Sequence, residues 1–356
     1  MKVMRPRPLL SRPAVTVVIP CYNYGQYLPQ ALNSALSQED VEVDVIVVDD
    51  ASTDGSAAIA WGLAAKDPRI VVVHHQQNQG HIATYNDGLS RAGGRYVTLL
   101  SADDVLAPGA LGRAVALMET NPKVGMVYGL PRDFVEEPPR ISLRGRTTWT
   151  VWEGNRWLAV ACARGRNFIL SPEVVMRTET VLSIGGYSAS LPHSGDLEYW
   201  LRAAASWDVG RINGPVQAFY RVHGKNMHQT EFAAAAVDLQ HRLEAFRVLE
   251  DARFPISVQK RTRQLRRVKG ALSKEAAQLG AREVMRGSLE AAIELRKFIE
   301  CLQDVPGNVH RANTLQARIS RVSRGGSPGP VASATGYARS QLDRARWRFW
   351  ALTGIS

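Results

Sequence analysis

Residues 43–56 read Val-Asp-Val-Ile-Val-Val-Asp-Asp-Ala-Ser-Thr-Asp-Gly-Ser. A short β-branched run stops abruptly in acids, hydroxyls and a glycine, which is the pattern of a buried strand, a turn and the start of a helix. The same phrase recurs on both sides. Residues 15–23 read Val-Thr-Val-Val-Ile-Pro-Cys-Tyr-Asn, residues 69–74 Arg-Ile-Val-Val-Val-His, and residues 96–104 Tyr-Val-Thr-Leu-Leu-Ser-Ala-Asp-Asp. The intervening segments 27–37, 56–65 and 82–92 place apolar residues at helical spacing, the first at Leu28, Ala31, Leu32, Ala35 and Leu36. Near-continuous apolar strands alternating with amphipathic helices predict an α/β fold built on a doubly wound sheet.

In open sheets of this kind, ligands bind beyond the carboxyl ends of the strands. Three polar clusters fall there: Pro20-Cys21-Tyr22-Asn23, Asp49 to Ser56, and Ser101-Ala102-Asp103-Asp104. No Gly-x-Gly-x-x-Gly opens the first helix, which disfavours a dinucleotide-binding dehydrogenase. Each cluster also has a plainer reading. Asp49 to Ser56 suits a turn with a helix cap, and Asp103-Asp104 suits the cap of a helix with Pro108 just inside it.

Past Met126-Val127-Tyr128 the pattern loosens. Residues 131–146 read as a loop rich in Pro, Arg and Glu, followed by Trp149, Trp152 and Trp157. From Phe232 the chain turns helical over 232–250, 258–279 and 282–299, with Gly270, Gly280 and Gly287 expected to break or join the pieces. Residues 324–330 read as a linker. Residues 338–350 read as a short basic aromatic helix. The expected organisation is an extension at 1–13, an α/β domain at 14–228 divided near 128, a helical basic region at 229–323, the linker at 324–330 and a basic aromatic segment at 331–356.

The 356 residues are 45% hydrophobic and 22% charged, enough for a buried core and close to the globular average. No long apolar run and no signal-like N-terminus stands out, and the three cysteines fit neither a zinc spacing nor a disulfide framework. A cytoplasmic protein is expected, with peripheral contact to the inner face of a membrane an option. The net charge is +11 and unevenly spread: residues 228–356 hold 22 Lys and Arg against 12 Asp and Glu. That appendage suits a polyanion or an anionic membrane surface, or simply solvated helix faces.

Six motifs in order, Val-Val-Ile-Pro-Cys-Tyr-Asn, Val-Ile-Val-Val-Asp-Asp-Ala-Ser-Thr-Asp-Gly-Ser, Asn78-Gln79-Gly80 with Asn86, Leu-Ser-Ala-Asp-Asp, Gly185-Gly186-Tyr187 leading into Gly195-Asp196-Leu197-Glu198-Tyr199-Trp200, and Tyr220-Arg221-Val222-His223-Gly224-Lys225-Asn226, resemble family 2 glycosyltransferases over residues 13–228. The resemblance implies a GT-A-type, Rossmann-like mixed sheet, a nucleotide-binding half to residue 128 and an acceptor half to 228. It implies transfer of a sugar from a nucleoside-diphosphate sugar to an acceptor hydroxyl with inversion. The acceptor would be a glycan, a lipid-linked carrier or a small molecule, as in cell-surface polysaccharide, glycolipid or secondary-metabolite glycosylation.

The resemblance implies that Mn²⁺ or Mg²⁺ at Asp103 neutralises the diphosphate leaving group. By the same resemblance His223 would be a further metal ligand and Asp104 a support. Ser101 stands where the family commonly has Asp, so its ribose role is weakened. The nucleotide maps onto Pro20, Tyr22, Asn23, Asp50, Asn78, Gly80, Asn86, Ser101 and Ala102. Tyr22 would stack on the base, and Asp50 would accept an imide N–H, favouring UDP- or dTDP-sugars. By resemblance Asp196 would be the general base and Glu198 its alternative. Arg221 and Lys225 offer phosphate clamps. Arg339, Arg344, Arg346 and Arg348 with Trp347, Phe349 and Trp350 suit an interfacial helix or one packed on the body. Two rival classes stand beside this one: a noncatalytic nucleotide-sugar binder, and a nucleic-acid binder acting through the tail. No nucleic-acid motif supports the second, and no nucleic-acid partner is expected.

Overall fold

The computed structural model describes residues 1–140, 147–224, 234–302 and 304–327. The chain divides into two compact units, the first of residues 1–157 and 168–223, the second of residues 158–167 and 224–356.

In the first unit the strands are β1 (Lys2–Met4), β2 (Ala14–Cys21), β3 (Glu42–Asp49), β4 (Ile70–His74), β5 (Tyr96–Leu99), β6 (Val105–Leu106), β7 (Val124–Phe134), β8 (Thr148–Trp152), β9 (Val175–Arg177) and β10 (Asp208–Arg221). They form one sheet in the order β1-β8-β10-β7-β9-β5-β2-β3-β4, with β6 on β10. The pairs β4-β3, β3-β2 and β2-β5 are parallel, whereas β9 runs antiparallel to both β5 and β7. The sheet is therefore mixed, as expected. Its parallel half brings the ends of β2, β3 and β5, and so all three polar clusters, to one edge.

Helices α1 (Leu28–Leu36), α2 (Ser56–Ala64), α3 (His81–Ser90) and α4 (Ala110–Thr120) lie in or beside the predicted segments. Helix α1 buries Leu28, Ala31, Leu32 and Ala35, the face its spacing implies. Helix α3 approaches the sheet so closely that a Cβ on Gly88 would sit 2.3 Å from Val18 Cγ1. Helices α5 (Gly154–Arg164), α6 (Thr178–Ile184) and α7 (Gly195–Ser206) follow. The loop expected from residue 131 begins later, because β7 runs through Pro131 to Phe134 paired with β10. The tryptophans Trp149, Trp152 and Trp157 are all buried.

The second unit is helical: α8 (Ala235–Phe246), a 3₁₀ turn at Arg247–Glu250, α9 (Val258–Arg286), α10 (Leu289–Cys301) and α11 (Asn308–Ser323). Helix α9 is 29 residues long and passes through Gly270 and Gly280, which were expected to interrupt it. Gly280 is there for packing: an added Cβ would lie 2.5 Å from Leu315 Cδ2 of α11. Gly287 does end the helix, at φ +81°, with Ser288 N–H donating to Glu283 O at 2.9 Å in a Schellman closure. The third helix therefore starts at Leu289 rather than 282. The terminal helix read at 338–350 and the segment 331–356 lie outside the described residues. No helix among the described residues is long and apolar enough to cross a membrane.

Candidate active site

The strand-end clusters are first of all tied to one another. Asn23, at φ +57°, accepts the Thr53 N–H at 2.7 Å through Oδ1, while its own N–H donates to Ser52 Oγ at 3.0 Å. Asp54 accepts the Gly25 N–H at 3.2 Å, and Asp49 accepts the Ser52 N–H at 3.1 Å. The turn reading thus describes Asn23, Asp49 and Asp54, while the N-cap of α2 is Gly55, with no side-chain cap bond.

Asp50 is 2% exposed. It accepts N–H bonds from Gln79 at 2.8 Å and Gly80 at 2.9 Å, and its Oδ1 meets His75 Nδ1 at 2.7 Å. Burial pushes its carboxyl up, but these bonds outweigh it and the net shift is downward. The other ring nitrogen of His75 meets Asp87 at 3.2 Å. Burial opposes the imidazolium, yet the two carboxylates raise its pKa overall. Asp50 thereby clamps the loop before α3, and its oxygens are engaged within the protein. Asn78 braces the same loop by accepting the Gly80 N–H at 3.0 Å. Asn86, expected at the nucleotide, spends both amide atoms on the backbone of Tyr187, at 2.9 and 2.7 Å. It docks the Gly185-Gly186-Tyr187 turn onto α3. Pro20 and Ala102 are buried, Ser101 is partly exposed, and Tyr22 stands 47% exposed beside the end of β2.

The short antiparallel pair of β6 with β10 brings Asp103 and Asp104 to Arg221 and His223. His223 Nε2 lies 3.0 Å from Asp103 Oδ2. The other oxygen of Asp103 is buried with no hydrogen-bond partner. Asp104 does not cap a helix; α4 begins after Gly109, and Asp104 Oδ1 accepts the Arg221 N–H at 2.9 Å. Burial, then the charge of Asp103, pushes the Asp104 carboxyl well above the carboxylate range.

Arg221, proposed from sequence as a phosphate clamp, is 4% exposed and committed inside the protein. It donates to the carbonyls of Asp103, Val135 and Glu136 at 2.8–3.1 Å and to Gln30 Oε1. Its guanidinium sits between the rings of Tyr27 and Phe134, 4.4 and 4.3 Å from their centroids. It is a strut for the Asp103 loop. Tyr27 stacks on His223 at 5.6 Å and Tyr24 meets the same imidazole edge-on at 5.5 Å. Lys225, the other suggested clamp, lies outside the described residues.

Asp196 sits in the first turn of α7, whose N-cap is Ser194, so it is not the capping residue. It is partly exposed. Its Oδ2 accepts the Ser171 hydroxyl at 2.5 Å, and Tyr187 supplies a second bond. Burial raises its carboxyl pKa, and these two bonds hold part of that rise back. Glu198, the alternative base, is 5% exposed and locked to Arg202 at 2.6 and 2.9 Å. The phenol of Tyr85 lies within electrostatic reach of Asp196, Asp103 and Asp104 and is driven upward by burial first and then by these charges. That places Asp196 and the Asp103–His223 pair around one acidic region.

Sequence reasoning did not find Ser171, Tyr85, Tyr24, Tyr27 or His75. Only Tyr24 and Tyr27 left a trace, as aromatics directly after the first motif.

Solved structures share this architecture. S. aureus TarS 1–349, in complex with UDP-GlcNAc, superposes with a TM-score of 0.62 at 15% identity, over 88% of this chain and 92% of that one. The mannosyltransferase PcManGT from Pyrobaculum calidifontis, in complex with GDP-Man and Mn²⁺, gives 0.56 at 20% identity, over 90% of this chain and 83% of that one. The fold is therefore that of the GT-A glycosyltransferases. The family model described as glycosyl transferase family 2 matches residues 16–171, and an uncharacterized glycosyltransferase of Nostoc sp. is 37% identical over 235 residues, 62% of this chain and 69% of its own length. The chain belongs to glycosyl transferase family 2, in fold and family as its motifs implied.

Proposed function

We propose that the chain moves a sugar from a nucleoside-diphosphate sugar to an acceptor hydroxyl, with a divalent cation held at Asp103 and His223 and Asp196 as general base. One observation carries this reading: Asp103 and His223, 120 positions apart, converge at 3.0 Å while the second Asp103 oxygen is buried and unpartnered. A carboxylate beside an imidazole suits Mn²⁺, and Mg²⁺ through the carboxylate. Among the described residues no group of three or more His, Cys, Asp and Glu is arranged to hold a metal ion. Two protein donors leave room for diphosphate and water oxygens, as such cations prefer when they serve phosphates. When bound, the cation would neutralise charge on the departing diphosphate.

The remaining roles belong to the chain. Arg221 and the stacked Tyr24 and Tyr27 hold the Asp103 loop and the His223 ring in place. The exposed Tyr22 ring offers a platform for a nucleobase. The engagement of Asp50 leaves little support for a pyrimidine-specific imide contact. GDP-Man in one structural neighbour and UDP-GlcNAc in another keep the base an open variable for the donor screen. Asp196, which is partly exposed, takes the acceptor proton while Ser171 stays on Oδ2. Direct attack inverts the anomeric centre. In support, Glu198 is locked to Arg202, and Glu173 is 2% exposed with burial holding its carboxyl far above the usual range.

Hydrolysis or transfer screened over common nucleotide sugars, with and without Mn²⁺, tests the reading. Turnover of at least one donor that needs the metal and is lost in Asp103→Asn is expected. Equal turnover after metal removal would overturn the cation assignment.

A further inference from the structure

Over residues 258–274, helix α9 carries Lys and Arg at 260, 261, 263, 266, 267, 269 and 274 and no Asp or Glu. At 100° per residue, Lys260, Arg263, Arg267 and Lys274 fall within about 60° of one another, with Arg266 flanking them. All five are exposed, and the adjoining face buries Gln264, Val268 and Leu272. The stripe is about 21 Å long at 1.5 Å per residue. Carboxylates of this unit are spent elsewhere: Asp238 and Glu275 on Arg242, Glu300 on Arg296. Arg267 reaches only the Gln264 amide oxygen, and Lys260, Arg263, Arg266 and Lys274 make no ion pair with a described residue. Like charges this close repel one another, and no acid lies among them from 258 to 274.

We infer that this face of α9 docks on an anionic phospholipid surface. Its shape favours that occupant. The stripe is a line on the outside of a convex helix, which meets a flat charged surface along its length. Single-stranded nucleic acid is held on aromatic platforms, and residues 258–286 contain no aromatic side chain. The chain's own last segment cannot neutralise the stripe, since residues 328–356 carry four Arg against the single acid Asp343. That segment also supplies Trp347, Phe349 and Trp350, side chains suited to a lipid interface. The stripe has no apolar wedge of its own, so contact through it is electrostatic, reversible and weakened by salt. Each Lys or Arg near an anionic bilayer contributes about fivefold to partitioning.

Co-sedimentation of the full chain with phosphatidylcholine vesicles, with and without phosphatidylglycerol, at low and high salt, tests this. The wild type should pellet only with the anionic vesicles and release at high salt. Combined Arg263→Gln, Arg267→Gln and Lys274→Gln should weaken partitioning by about 100-fold. Arg263→Lys with Arg267→Lys, which keeps the charge, should pellet as the wild type does. Thermal melting and donor turnover, equal in all variants, exclude unfolding as the cause. Equal pelleting of the glutamine variant, no pelleting of the wild type, or retention on single-stranded RNA with no vesicle binding would each overturn the assignment.

Discussion

The two units treat charge in opposite ways. In the first, the ionisable groups that matter are buried and committed. Asp50 and His75 hold each other, Arg221 braces the Asp103 loop, and Glu198 is locked to Arg202. In the second, Lys260, Arg263, Arg266 and Lys274 stand on the surface of α9 with no ion pair among the described residues. Buried charges survive only where hydrogen bonds replace the lost water, so each one specifies a geometry. Exposed charges specify almost none, and their effect lies in a long-range field. The α/β unit is thus built to position atoms, and the helical unit to present a surface.

Substitutions break this comparison at graded cost. The largest expected effect is at the base. Asp196→Asn should leave donor affinity unchanged and lower turnover by about 10²–10⁴-fold, in steady-state kinetics against direct binding. Ser171→Ala should act through the same carboxylate. As the proposed general base Asp196 would work deprotonated, and the Ser171 hydroxyl stabilises the charged form against burial. Removing it raises the Asp196 pKa further, so the acidic limb of the kcat/KM profile moves to higher pH with the alkaline side little changed.

A stability effect of about 1–3 kcal/mol is expected from Gly280→Val, which forces a side chain into Leu315. A lower Tm with normal donor turnover in the folded protein is the outcome to look for. The His75 pair gives a smaller, pH-dependent signal. The imidazole pKa is raised and the Asp50 pKa lowered. Both partners are charged, and the stabilisation complete, between about pH 4 and 6.5. It fades as pH rises through the folded His75 value and as pH falls through that of Asp50. The Tm advantage of wild type over His75→Gln should therefore shrink from about pH 6.5 upward. The smallest effect is expected across the comparison: neutralising the α9 stripe should leave donor turnover within about twofold, under ~0.5 kcal/mol of barrier.

The sheet was legible because its signal is local. Strands β2 to β5 announce themselves by β-branched runs with polar ends, and Asp103, Asp196 and His223 by their motifs. Other parts were not legible, for physical reasons. Gly280 reads as a breaker in one dimension and as a contact in three. Asn86 and Arg221 carry side chains suited to ligands, but only the fold shows that their donors and acceptors are already occupied. Ser171 has no motif around it, since its role comes from a 3₁₀ turn placed against α7. Pro131 read as a loop because the long pairing of β7 with β10 depends on residues some 85 positions away.

The most direct measurement is Mn²⁺ binding in the presence of a nucleoside diphosphate, followed by the electron-spin resonance of the free ion, for wild type, Asp196→Asn and Asp103→Asn. Binding in the first two and a loss of at least about tenfold in the third is the predicted result, a difference of ~1.4 kcal/mol or more. The same affinity in all three proteins would contradict a cation site at Asp103 and His223, and with it the account of how the first unit works.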